Sequence, residues 1–294
     1  MKSCDPKSCA SCPDKNKSSK EELIQCRLFR IKHKLIVMSG KGGVGKSSVA
    51  VYLSLALAQK GFQVGLMDID LHGPSIPKML GLHGALNLTA DQQIVPHQYR
   101  PNLKVVSIES MLEDTDSAMI WRGPLKHGVI KQFLSECDWG DLDFLIVDCP
   151  PGTGDEPLSI ARLIPEARAI IVTTPQEVAL ADVRKSINFC RKVDLQFVGL
   201  VENMSGLYCP HCKEFIPIFQ TGGGVKTSEL MKVPYLGALP FDPAVVVGGD
   251  RGRPVLEDET ESSFKKAVQE LTGAVLDKLK EIGDTQFTQE KTVH

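Results

Sequence analysis

The sequence predicts an α/β fold built on a doubly wound, mostly parallel sheet. Three observations carry this reading. Short apolar runs of strand length recur along the chain and alternate with stretches of helical periodicity. The first run, Leu35-Ile-Val-Met38, opens directly onto a glycine-rich turn. Two other runs end in acids, at Asp68-Ile-Asp70 and at Asp148, which puts charged side chains along one edge of the sheet.

The elements follow in order. Leu35–Met38 reads as a buried parallel strand, and Val49, Leu53, Leu57 and Ala58 then recur at helical spacing, with Gly61 as the stop. Val64–Met67 is the second strand. Residues 71–103, with Pro74, Pro77, Pro96 and Pro101, read as irregular. Val105–Ile108 is a strand, 124–136 a helix, and Phe144–Val147 a buried strand ending at Asp148. Ala169–Val172 and Phe197–Val201 repeat the strand pattern, with helices over 157–163 and 178–192. Tyr235–Leu239 is the last strand. Phe264, Val268, Leu271, Val275 and Leu279 mark a final amphipathic helix from about Ser262 to Ile282. The expected division is a Cys-rich, basic segment over 1–33, the main domain over 34–283, and a polar tail over 284–294.

Composition removes several function classes. A chain of 294 residues, 42% of them hydrophobic, can bury a large core. With 34 basic and 36 acidic residues the net charge is -2, which argues against a general nucleic-acid coat protein. No apolar run approaches the roughly 18 residues of a membrane span, and the polar start has no signal-peptide core. A cytoplasmic protein with neither nucleic-acid nor membrane partners is expected.

Gly40-Lys-Gly-Gly-Val-Gly-Lys-Ser47 satisfies G-x-x-x-x-G-K-[ST] between a strand and a helix, the context this phosphate loop needs. Gly40, Gly42, Gly43, Val44 and Gly45 belong to a curled backbone whose N–H groups face phosphate oxygens, with Ser48 just behind it. Lys46 is expected to reach the β- and γ-phosphates of ATP, and Ser47 to ligate Mg2+. Asp148 is placed to hold Mg2+ through water. Asp70 is assigned to the attacking water, with Asp68 nearer the loop. The glycine-rich stretch Pro150–Asp155 lies where a γ-phosphate-sensing switch belongs.

Lys41 makes the loop a deviant Walker A motif, K-G-G-x-G-K-[ST]. That motif resembles a superfamily (the SIMIBI-type P-loop NTPases) holding nitrogenase iron protein, the partitioning and division-site ATPases, the arsenite pump ATPase and the Mrp family. Three further strings resemble the Mrp/Nbp family: Asp68-Ile-Asp-Leu-His-Gly-Pro-Ser75, Trp121-Arg-Gly-Pro124 and Asp148-Cys-Pro-Pro-Gly-Thr-Gly-Asp155. The Cys209-x-x-Cys212 pair, following Val201-Glu-Asn-Met-Ser205, is in that family's position. The likeness spans about residues 34–282. It implies a homodimeric iron–sulfur cluster carrier with weak ATPase activity, delivering clusters to apoproteins. It implies that Lys41 reaches the partner's nucleotide and Asn203 reads adenine. Pro240-Phe-Asp242 is implied as a second base-contact loop. Cys209 and Cys212 of each subunit are implied to share one 4Fe–4S cluster.

The residue chemistry agrees, since two thiolates two residues apart cannot close a tetrahedral site and need two more ligands. Half a zinc knuckle and a redox dithiol remain open for the same string. Nine cysteines in all is a high count, and Cys4, Cys9, Cys12 and Cys26 crowd the N-terminus as a candidate second cluster site. Eukaryotic-type family members carry four N-terminal cysteines with the longest gap first. Here the longest gap, between Cys12 and Cys26, comes last, so zinc and free thiols stay open too. Cys137, Cys149 and Cys190 read as small core residues. Two rivals remain: a division-site or partitioning ATPase acting on membrane or DNA, and an electron-transfer ATPase like nitrogenase iron protein.

Overall fold

The chain enters the sheet from helix α1 (Lys20–Phe29) and runs through strand β1 (Ile31–Ser39) into helix α2 (Lys46–Gln59). The computed structural model describes residues 20–70, 73, 75–91, 93–111, 123–209, 211–219 and 221–290, with backbone alone at 123–126 and 284–290. Strand β2 (Val64–Asp68) is followed by the short helix α3 (Ile76–Leu80) and by strands β3 (Asn87–Leu88), β4 (Ile94–Val95), β5 (His97–Arg100) and β6 (Leu103–Ser107). Then come α4 (Gly123–Glu136), β7 (Leu142–Asp148), α5 (Asp155–Leu163), β8 (Arg168–Thr173), α6 (Glu177–Lys192) and β9 (Gln196–Glu202). A small hairpin, β10 (Leu207–Tyr208) and β11 (Phe215–Ile216), precedes α7 (Gly223–Met231), β12 (Tyr235–Ala238), α8 (Pro243–Asp250) and α9 (Ser263–Glu290).

The main sheet has the order β12-β9-β8-β1-β7-β2-β6-β5. All its pairings are parallel except that of β5 with β6 at the edge. β1 and the strands beside it are buried on both faces, which is why they read as unbroken apolar runs and not as an alternation. Residues of α2 and α9 cover one face; residues of α1, α4, α5 and α6 cover the other. α2 is apolar all round because it lies between the sheet and α9.

Some expectations needed correction. β1 begins at Ile31, ahead of the expected Leu35, and α1 already belongs to the core through Ile24 and Leu28. α9 continues to Glu290, through residues expected to be a polar tail. The irregular 71–103 stretch contains α3, the β3–β4 hairpin and edge strand β5, all too short to show a period. The apolar stripe of α9 (Phe264, Val268, Leu271, Val275, Leu279) packs in the core. Among the described residues no helix is long and apolar enough to cross a membrane.

Parallel register brings the acids to one level. Val37 and Asp68 both pair with Asp148, and Asp68 also pairs with Ser107. The C-terminal ends of β1, β2, β6 and β7 therefore meet beside the start of α2, where an α/β sheet binds its ligand.

Candidate functional site

The phosphate loop turns on two left-handed glycines, Gly43 and Gly45, each at φ 78°. Gly45 caps α2, and a Cβ there would lie 2.2 Å from the Asn203 amide nitrogen. Gly40 is fixed by contact: a Cβ would sit 2.3 Å from the backbone carbonyl carbon of Asp182 in α6. The first glycine of the motif thus seats the loop on a helix.

Lys46 is 6% exposed and points into the acids. Its Nζ lies 2.6 Å from Asp148 Oδ1 and 3.5 Å from Asp70 Oδ2. Ser47 Oγ donates to Asp148 Oδ2 at 2.6 Å. Burial pulls the Lys46 pKa down, but the Asp148, Asp70 and Asp68 carboxylates together more than offset this and the net shift is upward. Burial raises Asp148 in spite of Lys46. A hydroxyl and carboxylate oxygens converging beside the phosphate loop are the hard donors Mg2+ takes, so this cluster fits that ion.

Asp68 and Asp70 divide differently from the sequence reading. Asp68 was expected nearer the loop, yet Asp70 is the one that reaches Lys46. Asp68 is fully buried and turned to its neighbours: Oδ1 accepts from Asp70 N–H at 3.0 Å and Oδ2 from Ser107 Oγ at 3.0 Å. The bonds to Ser107 and to the Asp70 backbone hold it below the loop, and it props Asp70. Burial, then the nearby Asp148 charge, pushes its pKa up to about 8 from 3.8.

A stability prediction follows. With its folded pKa raised, Asp68 keeps a proton in the folded state that the unfolded chain gives up. Stability from this group is full below about pH 4 and falls as pH rises through about 8. Asp68→Asn, which keeps an acceptor for the Asp70 N–H, is expected to flatten the decline in thermal midpoint between pH 5 and 9. An unchanged slope in melting curves of the variant would refute the assignment.

The residues expected to contact the base lie behind the loop. Ser48, Val49, Asn203, Met204, Leu239, Pro240, Phe241, Asp242 and the start of α8 enclose a cavity of about 70 Å³. The structure therefore brings Ser48, Asn203, Pro240 and Asp242 together. Two of them already have structural partners. Asn203 Nδ2 donates to Val44 O at 2.9 Å, bracing the loop. Asp242 accepts from Ala244 N–H at 2.9 Å and caps α8. Lys41 is exposed. Pro150–Asp155 rises from the end of β7, anchored where Gly152 N–H donates to Ser39 O at 2.8 Å.

The cysteine pair sits on the β10–β11 hairpin, beyond the C-terminal end of β9. Cys209 N–H donates to Glu214 O and Lys213 N–H to Cys209 O, both at 2.9 Å, and Tyr208 packs edge-on against Phe215. The hairpin is also tied to the Pro240–Asp242 loop: Phe241 N–H donates to Gly206 O at 2.7 Å. Cys212 is exposed and Cys209 half-exposed. Backbone N–H groups of Cys212 and His211 aimed at the Cys209 sulfur lower its pKa, favouring the thiolate that ligates metal. No group of three or more metal-binding side chains occurs among the described residues, so Cys209 and Cys212 are incomplete as a site there.

Cys137, Cys149 and Cys190 are wholly buried, and burial pushes all three thiols up, Cys190 to about 12. They pack as core residues. Cys26 is half-buried on α1 and disulfide-bonded. Cys4, Cys9 and Cys12 lie outside the described residues, as do Leu71, His72, Pro74, Trp121 and Arg122 of the family strings. Glu202 escaped the sequence reading; its one signal was an acid directly before Asn203 at a strand end.

The chain is similar to several known proteins. The iron-sulfur cluster carrier protein of Methanocaldococcus jannaschii is 42% identical over 286 residues, which cover 94% of this chain and 98% of that protein. The cytosolic Fe-S cluster assembly factor CFD1 of Kluyveromyces lactis is 51% identical over 223 residues, 74% of this chain and 79% of that one. Among solved structures, a nucleotide-binding protein from Archaeoglobus fulgidus in complex with ADP superposes with a TM-score of 0.72 at 35% identity. That match covers 83% of this chain and 95% of the other. The cell-division ATPase MinD of Pyrococcus furiosus superposes at 0.60 with 26% identity, over 83% of this chain and 98% of its own. Residues 30–276 match the family described as NUBPL iron-transfer P-loop NTPase. With its phosphate loop, strand-end acids and cysteine hairpin assembled on this sheet, the chain belongs to the NUBPL iron-transfer P-loop NTPase family.

Proposed function

We propose that this protein is a homodimeric, ATP-dependent carrier. It holds a 4Fe–4S cluster between the Cys209/Cys212 pairs of two copies and hands it to apoproteins. The observation that carries the reading is the hairpin: two accessible thiols, one biased toward thiolate, with no third ligand among the described residues and a direct bond to the base loop. A two-fold partner supplies the missing pair.

ATP hydrolysis is assigned to the acid edge. Lys46, paired with Asp148, is within reach of the β- and γ-phosphates of bound ATP, and Ser47 directly, with Asp148 through water, would hold Mg2+. Mg2+ held there would neutralise phosphate charge. Asp70, propped by Asp68, orients the attacking water, and Lys41 contacts the partner's nucleotide. Ser48, Asn203, Pro240 and Asp242 line the base site, and the phosphate-loop glycines Gly40, Gly42, Gly43 and Gly45 with Val44 carry the phosphates. The cysteine-bearing N-terminus, whose helix α1 packs on the core, offers Cys4, Cys9 and Cys12 for a second cluster, joined by Cys26 once its disulfide is reduced. The division-site reading has less support, because the face of α9 that a membrane would need lies in the core.

Anaerobic reconstitution with iron and sulfide tests the reading. Wild type is compared with Cys209→Ala/Cys212→Ala and with Cys4→Ala/Cys9→Ala/Cys12→Ala, by iron content per chain. Near-normal iron in the Cys209/Cys212 variant would move the main site to the N-terminus.

A further inference from the structure

Glu202 ends β9, one residue before Asn203, and is 1% exposed. Its two carboxylate oxygens hold two places far apart in the chain. Ser205 Oγ donates to Oε1 at 2.6 Å, and Gly224 N–H donates to Oε2 at 2.5 Å. A Cβ at position 224 would lie 2.9 Å from Oε2, so only glycine brings this backbone onto the carboxylate without displacement. Everything between these anchors is the excursion that carries Cys209 and Cys212. Ser205 is where that excursion leaves the sheet, and Gly224, in the first turn of α7, is where it returns. The N-terminus of α7 adds positive potential at the carboxylate. One buried side chain thus clamps both ends of the excursion that carries the cysteine hairpin.

The same residue borders the nucleotide side. Glu202 O accepts from Leu239 N–H at 2.8 Å, directly before the Pro240–Asp242 loop. Asn203, next in sequence, donates to Val44 O in the phosphate loop. The Phe241-to-Gly206 bond also joins the base loop to the hairpin, but only at the outgoing end. Glu202 alone of these connects to the returning end as well.

We infer that Glu202 is the positioning residue that makes the cysteine hairpin respond to nucleotide. Displacement of Asn203 or of the Leu239–Asp242 segment moves the end of β9, and the Glu202 carboxylate carries that movement to both ends of the excursion. The inference rests on the carrier reading for what the hairpin holds. The coupling itself is a property of two thiols and can be read with no cluster present.

The test uses the full chain, reduced and metal-free. Maleimide labelling of Cys209 and Cys212 is followed by peptide mass spectrometry, with and without Mg2+ and a non-hydrolysable ATP analogue. In wild type the analogue is expected to change the labelling rate about fivefold or more. Glu202→Gln is expected to keep its thermal midpoint and a nucleotide affinity within about twofold, while the rate ratio falls close to one. Ser205→Ala, which releases only the outgoing end, is expected to give an intermediate ratio, and it carries the test if Glu202→Gln does not fold. A wild-type ratio of one, or a folded Glu202→Gln with the wild-type ratio, overturns the inference. Iron content of parallel samples reconstituted with iron and sulfide separates the two ideas: a chain that takes up no iron yet shows the ratio loses the cargo and keeps the clamp.

Discussion

Lys46→Ala is expected to lower phosphate release by at least about a hundredfold and also to destabilise the nucleotide-free protein, more so at higher pH. The first effect is the loss of the cation aimed at the transferring phosphate. The second comes from the acid edge. Lys46 is the basic group paired with Asp148 and Asp70, and Asp148 is wholly buried. Removing one partner of a buried pair costs about 3–5 kcal/mol, because the remaining charge keeps its desolvation cost. Asp148 can escape by taking a proton, since burial already raises its pKa. That escape is open at low pH and closes as pH rises. The expected result is a thermal midpoint close to wild type near pH 5 and increasingly below it toward pH 8.5. A deficit independent of pH would show that Lys46 does not neutralise this cluster.

Much of the site was legible because its information is local. Gly40 to Ser47 states its own geometry: the spacing of glycines and lysine follows from one turn of backbone before one helix. Asp68, Asp70 and Asp148 were legible as strand-end acids because an apolar run followed by a charge marks where a parallel strand leaves the core. What was not legible depends on contacts between distant segments. Nothing near Gly40 in sequence announces that α6 passes within a Cβ of it. The relative depth of Asp68 and Asp70 is decided by Ser107 on β6 and by the Asp70 backbone folding over Asp68. Glu202 is one acid among 36 acidic residues until Ser205 and Gly224 are seen on its two oxygens. Asp242, read as a base contact, also caps α8, which its position before Pro243 could have suggested.

Removing both hairpin thiols, Cys209→Ala/Cys212→Ala, is expected to abolish the shared cluster and leave the fold and nucleotide site intact. The hairpin does not depend on its cysteines for shape. It is held by β10–β11 pairing, by the Tyr208–Phe215 contact, by the Phe241-to-Gly206 bond and by the Glu202 carboxylate. Nucleotide affinity and thermal midpoint should therefore stay near wild type. A 4Fe–4S cluster shared by two chains amounts to about two iron atoms per chain, whereas a cluster complete within one chain amounts to about four. The double variant should lose the former amount alone if the N-terminal cysteines hold a cluster of their own. Mass measured by light scattering adds an independent reading. Each chain offers two ligands where a cluster needs four, so iron loading of wild type should drive monomer toward dimer, and the variant should not respond to iron. A dimer that forms equally well in the variant would assign subunit association to another surface. Iron retained at two per chain in the variant would remove the hairpin from the cluster site altogether.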